Sequence, residues 1–141
     1  MTWKSIRPKP KKKELPNQVN LFNPVFKNLG VGDIKVINLN YDDRTDKYKP
    51  IDIAKSRLLG NPFFFNVKSD LERGESIRKY REKLWEELNK EKSTVKDEVY
   101  RIAKLVSQGE KIKLKCYCKP KQCHGDVLVS CITWLIKEGK V

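Results

Sequence analysis

Several features are scarce in this chain of 141 residues, and each scarcity narrows what it can do. No apolar run approaches eighteen residues, and a Lys/Pro stretch follows Met1 where a secretory core would stand. The expectation is therefore a cytoplasmic protein with no membrane partner. Histidine occurs once, so any imidazole chemistry must belong to His124. Aromatic side chains form no stripe, so nucleic-acid binding, if present, would be weakly sequence-specific and strongly salt-sensitive. The chain carries no internal repeat and no collagen-like bias, and its length suits one domain with a tail.

Acidic residues are also in deficit: 18 Asp and Glu face 31 Lys and Arg, a formal charge of +13. Residues 1–33 hold seven basic and two acidic side chains, leaving +8 for the remainder. The tail alone does not account for the charge, and polyanions or phosphorylated ligands are the natural partners. Five lysines (111, 113, 115, 119 and 121) and no acid lie between Lys111 and His124, a local positive field. In a reducing compartment the four cysteines are expected to be thiols, metal ligands or reactive groups, and not structural disulfides.

The chain divides into a basic tail (1–17), a docking segment or peptide motif (18–33) and an α/β domain (34–141). Three prolines and six basic residues without amphipathic period mark the tail. IKVINLN, Ile34 to Asn40, is dense in β-branched residues and reads as a buried strand. YDDRTDKYKP is a polar loop, and Ile51 to Val67 a short helical or irregular segment broken at Gly60-Asn61-Pro62, with Phe63, Phe64 and Phe65 anchoring the turn. Ile77, Tyr80, Leu84 and Leu88 share a face of a helix of about 75–91. Thr94 with Asp97 matches a capping pattern for a second helix that stops at Gly109. KIKLKCYC alternates, placing Ile112, Leu114, Cys116 and Cys118 on one face, with Lys113, Lys115 and Tyr117 on the other. Apolar residues from Val127 to Ile136 have helical spacing. Strands separated by helices predict an α/β fold: a small, mostly parallel sheet with flanking helices, as a single domain with a basic N-terminal tail.

Residues 116–126, CYCKPKQCHGD, collect three of the four cysteines, the histidine and an aspartate in eleven positions. Zinc is one reading, with Cys116, Cys118, Cys123 and His124 as ligands. The spacing argues against it: such a site would close only one local loop, and the adjacent Cys123 and His124 would have to face one ion. The second reading places Cys123 and His124 at a helix N-terminus, where free N–H groups favour an anion. Cys123 or Cys118 would then be a nucleophile, with His124 giving or taking protons. Asp126 either caps its helix or orients His124 or a substrate hydroxyl. Cys116 continues the apolar face of its strand, and Cys131, between Leu128 and Leu135, reads as core.

The motifs CxC, a proline loop and CHGDVL (Cys116 to Cys118, Pro120, Cys123 to Leu128) resemble an uncharacterised domain family of bacteria and phages. Val36 to Leu39, the Gly60-Asn61-Pro62-Phe63 turn preceded by Arg57, and Lys79-Tyr80-Arg81 extend the resemblance from about Ile34 to Ile136. Tyr117 replaces a tryptophan common in that family, and the basic tail is an addition. If these motifs converge, Asn38, Arg57, Asn61 and Gly125 would surround a nucleotide or related phosphorylated ligand, with Arg57 as phosphate clamp. Separately, QVNLF is similar to the pentapeptide by which many bacterial and phage proteins bind the replicative sliding clamp. Gln18 would supply its polar contact, and Leu21 and Phe22 its apolar anchors. That motif supports a rival expectation, a non-enzymatic nucleic-acid-associated accessory protein.

Overall fold

The computed structural model describes residues 32–141, apart from 55, 56, 64, 67 and 120. The tail and the segment containing Gln18, Leu21 and Phe22 therefore lie outside the described residues, as does Phe64. Three strands form one parallel sheet: β1 (Asp33–Asn38), β2 (Lys49–Asp52) and β3 (Lys111–Cys116). Their order is β1-β3-β2, so the last strand in sequence runs through the middle. Helices α1 (Asp70–Leu88) and α2 (Thr94–Ser107) connect β2 to β3, and α3 (His124–Lys137) follows β3. The expected α/β class and small parallel sheet are what the chain forms.

β2 falls where a polar loop and a helical or irregular segment were expected. Pro50 can sit in this strand because β2 is an edge, paired only with β3. α1 begins at Asp70, earlier than the apolar period suggests, because the Ser69 side chain accepts Glu72 N–H and closes a polar first turn. The second helix is capped by Ser93, whose hydroxyl accepts Lys96 N–H, one residue before the Thr94 of the capping pattern. The core lies between the sheet and the helices, where Ile34, Ile112, Leu114, Val99, Ile102, Leu128 and Ile132 are buried. Gly32 is needed where the chain enters β1: its N–H donates to Val106 O at 3.0 Å, and an added Cβ would fall 1.8 Å from Glu110 O.

Strand β3 departs most from expectation. Alternation predicts one apolar face and one lysine face, yet Lys113 is 1% exposed, as buried as its neighbours Ile112 and Leu114. The loop between β1 and β2 covers that face. Lys113 Nζ ion-pairs with Asp42, meets Asp46 Oδ1 at 3.0 Å and donates to Asp43 O at 2.9 Å. Asp42 also faces Lys115 at 3.4 Å. Burying a charge is tolerable only when it is paired and hydrogen-bonded, and the loop acids supply both.

The hydrogen bond from Lys113 holds the Asp42 and Asp46 carboxyls below the usual aspartate range. A depressed native pKa contributes stability above the unfolded aspartate value of about 3.9, and that contribution is lost as pH falls through the native value. The urea midpoint of the native protein should therefore drop steeply below about pH 4. Lys113→Met should lower the neutral-pH midpoint and flatten the acid dependence. Parallel curves for the two proteins would show that these ion pairs do not stabilise the fold.

Candidate functional site

The site forms where β3 ends and α3 begins. Cys116 is the last residue of β3, and Cys123 is the N-cap of α3. Their sulfurs lie 3.1 Å apart although six residues separate them. Cys123 closes the helix start in two directions. Its sulfur accepts Gly125 N–H at 3.3 Å, while its own N–H donates to Asp126 Oδ2 at 3.1 Å, a capping box with sulfur in the place of a hydroxyl. Asp126 N–H turns back to Cys123 O at 3.0 Å.

Both N–H groups expected to hold an anion, those of Gly125 and Asp126, are thus engaged inside the chain. Gly125 is also sealed from the side, since an added Cβ would meet Val36 Cγ1 at 2.9 Å and Ile53 Cδ1 at 3.0 Å. The geometry therefore gives these groups to helix closure. Asp126 acts as the cap, and its other oxygen accepts from Lys119 Nζ at 2.7 Å.

His124 is 6% exposed, and its Nε2 lies 2.7 Å from Ile53 O. A carbonyl can only accept, so Nε2 carries the proton and, in the neutral ring, Nδ1 is an acceptor. Burial pushes the imidazole below its ordinary pKa. The Tyr80 ring packs edge-on at 4.9 Å. His124 is therefore held as a neutral acceptor, which narrows the expected role in giving or taking protons.

Cys118 completes a cluster of three sulfurs. It lines the same cavity as Cys116 and Cys123, and its neighbours, Cys116 foremost and then Cys123 and the Arg73 guanidinium, hold its thiol well below the usual range. Cys118 foremost pushes the Cys116 thiol upward, and Cys116 followed by Cys118 pushes that of Cys123 upward. Of the three thiols Cys118 is thus the one disposed to ionise, while Cys116 and Cys123 share one hydrogen bond between themselves. Arg73 is itself 6% exposed, donates to Gln122 O at 3.3 Å and stacks over the Phe65 ring at 5.0 Å.

The sulfurs border a cavity of about 210 Å³. Cys116, Cys118, Cys123 and His124 form one side; Phe63, Phe65 and Tyr117 supply rings; Ala54, Asn61 and Ile77 complete the lining. Asn61 sits at the wall as expected, with Nδ2 donating to Ser76 Oγ at 2.8 Å and Oδ1 accepting Phe63 N–H at 2.9 Å. Asn38 and Arg57 are not among the lining residues. Asn38 Nδ2 instead clips Lys119 O at 2.6 Å, holding the CYCK turn against β1. Arg57 is exposed and pairs with Asp52 at 3.4 Å.

Arg73 is the residue of the candidate site that sequence reasoning missed. A signal was available, since position 73 lies four residues before Ile77 and seven before Tyr80, on the buried face of α1. The local positive field is also smaller than the lysine count suggests. Lys113, Lys115, Lys119 and Lys121 each face a carboxylate, respectively Asp42 and Asp46, Asp42, Asp126 and Asp70.

As folded, the proposed zinc ligands Cys116, Cys118, Cys123 and His124 do not surround one point. Two thiolates on one tetrahedral zinc at ~2.3 Å sit about 3.8 Å apart, whereas the sulfurs of Cys116 and Cys123 are 3.1 Å apart and His124 Nε2 is turned to Ile53 O. Among the described residues no group of three or more His, Cys, Asp or Glu is disposed to hold a metal ion.

A thiolate alkylates where a thiol does not, so iodoacetamide at about pH 6 should label Cys118 first, well below the ~8.5 midpoint of a free cysteine. Arg73→Leu should slow that labelling wherever it lifts the thiol pKa past the assay pH, by about tenfold for each unit above it. Mass spectrometry of the labelled peptides reads both. Equal rates at Cys118 and in an unfolded control would remove the thiolate assignment.

Among the described residues no helix is long and apolar enough to cross a membrane. No curated protein and no solved structure matches the chain. Residues 37–134 do match a family described as Domain of unknown function (DUF4326), a span that runs from β1 to the third turn of α3 and contains the sulfur cluster, Arg73 and the cavity wall. An uncharacterised family is what the CxC and CHGDVL motifs led us to expect, and the chain belongs to the DUF4326 family.

Proposed function

We propose that the protein binds a small planar ligand of the nucleoside or nucleotide class in the cavity beside the CHGD turn, and that Cys118 is the group that reacts with it. The observation that carries this reading is convergence. Cys118, whose neighbours hold its thiol low, a neutral imidazole and three aromatic side chains border one cavity of about 210 Å³. Small-molecule sites are concave and mostly apolar, with a few convergent polar groups, and this one has that character. Its volume suits a base or nucleoside better than a dinucleotide, because ligand pockets commonly begin at about 300 Å³.

The rings of Phe63, Phe65 and Tyr117 offer faces on which a base can stack, a contact worth about 1–3 kcal/mol per base. Asn61, which keeps one amide hydrogen beyond its bond to Ser76, and His124, whose Nδ1 is an acceptor, both line the cavity and are the groups we assign to a base edge. Phosphates, if the ligand carries them, would extend away from the helix start, whose N–H groups are already used. The reaction class that fits is covalent addition, in which the Cys118 sulfur bonds to an unsaturated electrophilic ring carbon while that carbon's π bond breaks and its electron pair passes to the adjoining ring atom, which takes a proton from water.

The test is a panel of nucleobases, nucleosides and nucleotides screened by thermal shift and calorimetry. A ligand that stabilises the native protein should bind Phe65→Ala about tenfold more weakly or worse, matching the loss of one stacking face. Cys118→Ser should retain binding and lose any turnover. If no member of the panel stabilises the native protein, the ligand class is wrong. Salt-sensitive DNA binding that survives both substitutions would favour the accessory-protein reading, which the net charge of +13 supports.

A further inference from the structure

We propose that Cys116, Cys118 and Cys123 form a thiol–disulfide exchange centre in which Cys118 attacks a small-molecule disulfide and Cys123 resolves the mixed disulfide. The inference shares with the proposed function only the reactivity of Cys118, and it does not depend on the nucleoside ligand. Three cysteines drawn from a strand end, a turn and a helix cap line one cavity, with the sulfurs of Cys116 and Cys123 3.1 Å apart, and this exceeds what packing requires. A core that wanted only volume would be served by Cys131, which sits alone and fully buried in α3.

Access and burial divide the roles. Cys118 is half-buried and borders the cavity, so an incoming disulfide can reach it, whereas Cys116 and Cys123 are only 1% and 2% exposed. Arg73 stands beside Cys118 and stabilises its charge before attack. Cys123 is separated from Cys118 by four residues, a loop long enough to close without the strain of a Cys-x-Cys ring. Its sulfur already takes Gly125 N–H at the positive end of α3, where a developing thiolate is favoured.

The steps balance. The Cys118 thiolate attacks one sulfur of R–S–S–R; the S–S bond breaks and RS⁻ leaves with its electron pair, giving Cys118–S–S–R. The thiolate charge that had kept the Cys123 proton in place is thereby consumed. Cys123 then attacks the Cys118 sulfur, the second RS group leaves with its electron pair and takes the Cys123 proton, and the products are a Cys118–Cys123 disulfide, the RS⁻ of the first step and one RSH. The substrate disulfide is the oxidant, and two protein sulfurs are oxidised. A thiol of the same class, run in reverse, restores the cluster.

The full chain, reduced and then exposed to glutathione disulfide at about pH 6, should lose two hydrogens in intact mass. Tandem mass spectrometry should map the bond to Cys118 and Cys123. Cys123→Ser should stop at one glutathione adduct on Cys118, Cys118→Ser should not react, and Cys116→Ser should still form the internal bond. Circular dichroism of each variant guards against unfolding, and the mapping on the native chain stands without the variants. A native chain that stays as a mixed disulfide, or a bond mapped to Cys116, would overturn the proposal. Iodoacetamide labelling separates the failures: Cys118 alkylated at that pH without exchange leaves the thiolate standing and removes the exchange centre. Loss of both removes the thiolate on which the proposed function also rests.

Discussion

Cys123 is the residue on which the rest of the site depends. Its backbone and sulfur together satisfy the first turn of α3, and the same sulfur touches the last residue of β3. A serine in that place would cap the helix equally well by hydrogen bonding, since capping needs only an acceptor on a short side chain. What sulfur adds is reach and proton chemistry. Through it, helix capping, sheet termination and the protonation of the thiol cluster are one event, and the Gly125 backbone packs close enough on Val36 and Ile53 to hold that geometry.

The electrostatics of the molecule follow from pairing more than from net charge. Lys113 lies buried behind the sheet because Asp42 and Asp46 close over it, and this pins the β1–β2 loop. Pinning that loop orders the short edge strand β2, whose continuation presents Ile53 O to His124. A buried ion pair on one face of the sheet thus helps to fix an imidazole on the other. Arg73 plays the converse part: its charge is directed inward, toward sulfur and the Phe65 face, and its ordered surroundings supply the field that a flexible surface lysine would not.

Much of this was legible in the chain. Hydrophobic period located the helices, β-branched density located β1, and alternation located β3, because those signals arise from burial of one face and survive in any small layered fold. Cap positions and β2 were not legible. Ser93 and Thr94 are both good caps, and only the first has its hydroxyl on a free N–H; KPID contains a proline that reads as loop until an edge is known to exist. The site was legible as a cluster and illegible as an arrangement. Cys118, Cys123, His124 and Asn61 meet at one cavity, whereas Asn38 serves the turn behind it and Arg57 pairs at the surface.

The sequence by itself determined the α/β layering, the membership of CYCKPKQCHGD in one strand–loop–helix unit and the capping capacity of Asp126, because each depends on residues close in the chain. Tertiary structure decided which arginine faces the sulfurs, which tautomer His124 holds and which cysteine has its thiol pKa lowered. Those properties depend on groups far apart in sequence: Ile53 against His124, Arg73 against Cys118, Asp42 against Lys113. Composition shows that the charges and sulfurs exist, but a pKa or a hydrogen-bond role is set by the few ångströms between partners, and only the fold supplies that distance.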